Sequence, residues 1–260
     1  SVEVNAVHET GINEIIITGV HLGGYGSDIE CNLYELIQAL LEKTTIPRIR
    51  MGSLEPWDLP ENFFNLFTNP RLMPHMHLPI QSGSDTVLRR MARRCKTDEF
   101  RQLVQHAKKS IPDLHITTDI IVGFPGETEE EWKETLKFVK EMEFSHIHIF
   151  SYSKRDGTKA ATLPLHVDEP IKKTRSKILH KLANNLKAQA VEKMLRKDVS
   201  ILWEEKKWGN DSEQCTYFGY TPNYTRIKAV AKKGVDLTNQ ITTHTISHIK
   251  DDMPYIEIDM

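Results

Sequence analysis

Between Glu14 and Tyr152, short apolar runs alternate with segments of helical spacing. Glu14–Val20 is a continuous apolar run of the kind a parallel sheet buries on both faces. Leu33, Leu36, Ile37, Leu40 and Leu41 then recur at the spacing of one helix face. The alternation continues with a strand at 46–54, a helix at 60–67, a strand at 75–80, and helices at 85–94 and 97–109. It ends with strand 116–122, helix 129–142 and strand 145–152. A helix tail that stops at Gly11 precedes it. Strand–helix alternation predicts a parallel sheet whose ligands gather at the C-terminal strand ends, in an open sheet or a partial barrel.

The texture changes near Lys197. A long basic helix is predicted over 171–197, for which a solvated face is the ordinary explanation. After it come short strand-like runs at 199–204, 216–219, 225–231, 240–249 and 255–258. Turns at Gly209-Asn210-Asp211, Thr221-Pro222-Asn223 and Lys233-Gly234 separate them. Short strands without a helix predict a small all-β barrel. The expected division is an α/β unit over 1–195 and a β unit over 196–260.

The strand ends are polar. Thr18-Gly19, Ser53 with Glu55, Gln81-Ser82, Asp119 with Gly123-Phe124-Pro125, and Tyr152 with Arg155 would converge on one rim, the default place for a ligand. Glycines let a ligand approach the backbone, Glu55 suits a ribose hydroxyl or an ammonium, and Arg155 suits a carboxylate. Asp85 reads equally well as a helix cap. His75 and His77 share a strand face but have no carboxylate or cysteine neighbour in sequence, so they read as structural, and no metal ligand is assigned. In the β unit, Tyr217, Tyr220, Tyr224, Arg226, Lys228, Lys232 and Lys233 mix aromatic and basic side chains, as single-stranded RNA binding requires.

The formal net charge of -2 advertises no nucleic-acid partner in bulk. Cys31, Cys95 and Cys215 are too far apart in sequence for a disulfide framework or a local metal motif. No apolar run approaches the ~20 residues of a membrane helix. The N-terminal stretch has no signal-peptide pattern, and a cytoplasmic home is expected. There is no GxSxG, GxxxxGK[ST] or GxGxxG.

Five segments, IIITGVHLGGYG, RIRMGSLEPWDLP, NPRLMPHMHLPIQSGSDTVLRRMARR, ITTDIIVGFPGETEEEW and FSYSKRDGTKAA, together resemble the radical S-adenosylmethionine tRNA methylthiotransferases. SLEPWDL and HMHLPIQSGSD are most similar to the branch acting on N6-threonylcarbamoyladenosine beside the anticodon. The isopentenyladenosine and ribosomal-protein branches fit less well. SILWEEKK and YFGYTPNYTRIKAV resemble the family's TRAM domain, an OB-like barrel that binds tRNA. The resemblance implies an incomplete TIM-like radical-SAM barrel plus that domain. It implies S-adenosylmethionine held by Thr18, Gly19, Ser53, Glu55, Gln81, Ser82, Asp119, Gly123, Phe124, Pro125, Tyr152 and Arg155. It also implies tRNA held by Tyr217, Tyr224, Arg226 and Lys228. In the family, a 4Fe-4S cluster on CxxxCxxC cleaves the cofactor and a second 4Fe-4S cluster, on an N-terminal domain, supplies sulfur. An electron donor serves them, and no single catalytic side chain is assigned.

The chain departs from this pattern in having no CxxxCxxC, and it starts in the helix that should follow that motif. The expectation is therefore the downstream part of a larger transferase, inactive by itself. The alternatives are a cluster-free RNA-binding protein, or a different barrel enzyme with a phosphate at the Gly123 loop.

Overall fold

The computed structural model describes residues 1–57, 59–60, 62–208, 214–232, 234–250 and 253–258, without the side chain of Trp208. The expected turn at Gly209-Asn210-Asp211 and Lys233 lie outside the described residues.

Helix α1 (Val2–Glu9) leads into five parallel strands. These are β1 (Glu14–Ile17), β2 (Arg48–Met51), β3 (His75–His77), β4 (His115–Val122) and β5 (His146–Ser151). β1 pairs with β2, and β3, β4 and β5 pair in turn. Parallel bridges Ile49–Leu72 and Ser53–His77 join β2 to β3, so the strands lie in sequence order with their C-terminal ends together.

Between them run α2 (Leu33–Lys43), a 3-10 helix (Phe63–Thr68), α3 (Asp85–Arg90), α4 (Thr97–Ser110) and α5 (Glu129–Met142). Asn32 and Glu35 close a capping box on α2, and Thr128 and Glu131 close one on α5; each satisfies backbone amides that a helix start leaves open. α5 buries Trp132, Phe138, Val139 and Met142 on one face, as its spacing predicts.

The sheet is two-faced. Ile15 and Ile17 on β1, Ile49 and Met51 on β2, Met76 on β3, Ile116, Ile120 and Val122 on β4, and Ile147 on β5 belong to a single core with the helices. The alternate residues Glu14, Ile16, Arg48, Arg50, His75, His77, His115, Thr117, Asp119, His146 and His148 form the inner face, because strand side chains alternate. β1 therefore does not have the two buried faces its apolar run suggested: Ile16 is 52% exposed. The segment expected as a helix at 60–67 is a 3-10 helix starting at Phe63.

Helix α6 (Glu169–Glu192) packs along β5. Beyond it lie β6 (Asp198–Trp208), β7 (Gln214–Tyr220), β8 (Arg226–Lys232), β9 (Ile241–Thr245), β10 (His248–Lys250) and β11 (Met253–Ile258). They form a mixed sheet in the order β10-β11-β8-β7-β6-β9, with β11 parallel to β8. The run expected at 240–249 is split into β9 and β10, because Ile246 turns inward and its amide donates to Lys197. A second core, including Met194, Ile201, Trp203, Tyr217 and Ile256, is separate from the first.

The two sheets meet through polar groups. Arg48 donates to the carbonyls of Tyr220 and Ser200, and Arg50 to that of Pro222, while the Glu14 carboxylate accepts two bonds from Arg50. Both arginines are almost fully buried. Their guanidinium forks are satisfied by carbonyl oxygens as well as by one carboxylate, the condition under which a buried charge is tolerated.

Candidate functional site

The turn between β7 and β8 enters the inner face of the parallel sheet and closes its N-terminal end. Above that turn lies a cavity of about 480 Å³, lined by Arg50, Gly52, Ser53, His75, His77, His115, His146, His148 and, from the turn, Tyr224 and Thr225. A wider furrow of about 1130 Å³ along α6 has only surface groups such as Lys173, Lys177 and Lys181. The enclosed cavity is the better place for chemistry, since its polar groups converge.

Burial keeps three of the cavity's histidines from taking up a proton. Burial, helped by the charges of Arg50 and its histidine neighbours, holds His75 down to about 3. Burial likewise holds His115 down to about 4, and lowers His146. Tyr224 packs on His75 at 4.9 Å between centroids, stacks on Tyr220 and lies under the Arg50 guanidinium.

The expected rim residues occupy the strand ends in different ways. Thr18 and Gly19 follow β1, and a side chain on Gly19 would meet only Leu22, at 4.0 Å, so space is open there. Ser53 lines the cavity. Glu55 accepts from the Gly23 amide (3.1 Å) and faces His21 (3.2 Å). Burial pushes its carboxyl up, but those two partners outweigh burial and hold it below the ordinary range. Gln81 takes a positive φ of 79° and bonds through its backbone to Asp119 and Ile121.

Ser82 departs from expectation. Its hydroxyl is buried against Thr135 of α5 (3.3 Å) and the Ser84 amide, so it supports the loop and does not face a ligand. Asp119 sits within β4, below the rim, and turns to His77. Asp85 bonds the Thr97 amide and ties α3 to α4.

The Gly123 loop is held from behind. Gly123 has φ 74°, and a Cβ there would fall 2.3 Å from Lys172 Cγ. The missing side chain thus makes room for α6, not only for a ligand. Lys172 reaches the Tyr152 carbonyl (3.1 Å). Arg175 bonds Glu127 (2.6 Å), which accepts the Gly123 amide (3.2 Å). One helix thereby fixes the loops after β4 and β5 together, a role that charge spacing on α6 alone did not suggest. Phe124 and Pro125 are buried, and Phe124 meets Tyr152 edge-on at 5.4 Å. The Tyr152 hydroxyl is buried without a partner among the described residues. Arg155 is exposed, and its carbonyl accepts from Thr158.

In the second sheet, Tyr217 is fully buried, and its hydroxyl donates to the Val235 carbonyl (2.7 Å). It is a core residue and cannot stack on a base. Tyr224 faces the cavity. Arg226 pairs with Glu205 (3.1 Å) and lies over Phe218 at 4.3 Å. Lys228 stands opposite Phe218 in register, and Lys207 lies 5.3 Å from the same ring. Phe218 and Lys207 were missed by the sequence reading; alternation along β7 and β8 could have placed Phe218 beside Arg226 and Lys228, while Lys207 joins that face through the β6–β7 pairing.

A family model described as the Radical SAM superfamily matches residues 2–139. The chain is 38% identical over 252 residues to "Threonylcarbamoyladenosine tRNA methylthiotransferase MtaB" of Bacillus subtilis, covering 96% of this chain and 55% of that protein. It is 40% identical over 195 residues to the protein of the same name from Thermotoga maritima, covering 75% and 45%. It is 37% identical over 218 residues to "tRNA-2-methylthio-N(6)-dimethylallyladenosine synthase" of Staphylococcus haemolyticus, covering 83% and 42%. The chain spans about half the length of these curated relatives.

Proposed function

The chain belongs to the radical SAM superfamily, and from that premise we propose that its parent protein is a transferase that adds a methylthio group at C2 of N6-threonylcarbamoyladenosine in tRNA. The observation carrying this reading is the match to threonylcarbamoyladenosine enzymes, which spans 96% of the chain in one case and so includes both sheets. The isopentenyladenosine branch is the runner-up, with similar identity over a smaller share of the chain.

S-adenosylmethionine fits the rim. Open space over Gly19 and an orphaned buried Tyr152 hydroxyl beside Phe124 are features a polar nucleoside would fill. Thr18, Gly19, Ser53, Glu55, Gln81, Gly123, Phe124, Pro125, Tyr152 and Arg155 are assigned to it. When bound, the cofactor supplies radical chemistry and the methyl group. The chain's own part is to orient it: Lys172 and Arg175 hold the Gly123 and Tyr152 loops.

A 4Fe-4S cluster does not fit the cysteines of this chain. Cys95 and Cys215 are buried in separate cores and Cys31 lies in a loop, whereas a cluster needs converging thiolates. We assign the ligands of both clusters to the parent protein outside this chain, and derive no step through them. Residues 196–260 are assigned as a TRAM-like, tRNA-gripping unit in a cytoplasmic enzyme, supported by its separate core and the Arg226–Phe218–Lys228–Lys207 face.

The test is nucleoside mass spectrometry of tRNA from a host lacking this modification and supplied with the complete gene. The 2-methylthio derivative of threonylcarbamoyladenosine is expected. Its absence, or appearance of the isopentenyl derivative instead, would overturn the assignment. The 260-residue chain alone, reconstituted with iron and sulfide, is expected to yield no 5′-deoxyadenosine. Removing Arg226 and Lys228 together should weaken tRNA binding and reduce its salt slope by about 2.

A further inference from the structure

We propose that His77, Asp119 and His148 form a binding site for one divalent transition-metal ion on the inner face of the parallel sheet. The three residues come from the adjacent strands β3, β4 and β5, where Asp119 stands opposite His148 and His77 opposite Thr117. One ligand atom from each lies within 4.8 Å of the other two.

The spacing between the first two ligands is informative. His77 Nε2 stands 3.4 Å from Asp119 Oδ1. A charge-assisted hydrogen bond would draw such a pair to about 2.7–2.9 Å. Two ligands each about 2.0–2.1 Å from a tetrahedral zinc stand roughly 3.4 Å apart. The pair is therefore spaced for an ion to sit between its members.

The imidazole is also held as a metal ligand is held. His77 Nδ1 is 2.8 Å from Thr117 Oγ1, so its other nitrogen is the one presented to Asp119. An outer hydrogen bond of this kind fixes the ring and its tautomer. The exposed His148 ring meets His77 edge-on at 5.6 Å, with one of its nitrogens within 4.8 Å of the other two ligand atoms. The side chains of His77 and Asp119 are 15% and 23% exposed, and His77 and His148 line the cavity. Two imidazoles and one carboxylate suit zinc, iron(II) or cobalt(II), not the all-oxygen preference of magnesium or calcium. Three protein ligands leave a position for water.

The site is independent of the proposed reaction, but it removes Asp119 from the cofactor's contacts. The test uses the 260-residue chain, stripped by a chelator and titrated with Co²⁺. Expected are one-to-one binding with a visible d–d absorption and displacement by Zn²⁺. Asp119→Asn and His77→Ala should each weaken binding by at least about tenfold, as should the supporting change Thr117→Val. His180→Ala, on α6, should change nothing. Asp119→Asn keeps a hydrogen-bonding group beside His77, and circular dichroism reports its fold. Absence of Co²⁺ binding, or binding left intact by both ligand substitutions, overturns the proposal. S-adenosylmethionine affinity, measured separately on the metal-free chain, tests the cofactor assignment by itself.

Discussion

At Gly123 two constraints coincide. The backbone sits at φ 74°, and the space a Cβ would take is filled by the Lys172 stem. Gly123→Ala should destabilise the chain by about 2–3 kcal/mol, a fall of several degrees in the thermal midpoint. Adding Lys172→Ala should restore the steric part and leave the backbone part. A double variant no better than the single one would mean that Lys172 is not what forbids a side chain here. The sequence marked Gly123 as special. It gave no means of telling ligand approach from packing by a helix about fifty residues later.

Among the elements, α5 is tied both to itself and to α3. Glu131 closes the helix's own capping box and also accepts from Arg90 (3.0 Å) and Thr86 (2.6 Å). Burial pushes its carboxyl up, but these bonds prevail and hold it down at about 2. A depressed carboxyl stabilises the fold above its unfolded value near 4.5, and that stability is lost as pH falls toward 2. With both partners partly open to water, Glu131→Gln should cost about 1–2 kcal/mol at neutral pH. The variant should also show a shallower acid decline in urea midpoints between those pH values. Helix limits here were legible from capping residues and apolar spacing, and α5 begins and ends where its pattern predicts. The 3-10 segment at Phe63–Thr68 was not legible as such, because its apolar cluster fits either helix type.

In the molecule as a whole, the two sheets are joined through neutral histidines and buried arginines. His115 lies 3.3 Å from both Asn223 and Thr225 of the inserted turn. His75 carries the Tyr224 ring. Both imidazoles are held far below their unfolded value of 6.5, to about 4 and about 3. Their neutral state stabilises the assembly fully above pH 6.5, and this is lost as pH falls through about 4. On the order of 5 kcal/mol is at stake for the pair. Asp113 opposes the shift at His115, while Lys108 and Lys193 add to it. Acid should therefore loosen the sheet–sheet contact early, seen as faster amide exchange in the 220–226 turn, and His115→Gln should flatten that response. Exchange in the turn that does not change with pH would contradict the coupling.

The chain's order of elements, the parallel α/β class, the change to β structure near Lys197 and the polar strand ends were determined by sequence, because periodicity, caps and turn residues act over a few positions. Tertiary structure alone decided that Tyr217 is core, that Ser82 faces α5, and that Lys172 and Arg175 brace the rim. It also decided that a carboxylate, Asp119, stands beside His77. Each of these depends on side chains from strands or helices distant in sequence being brought to one place, and on which of two faces a strand turns inward, which its neighbours fix and local pattern does not.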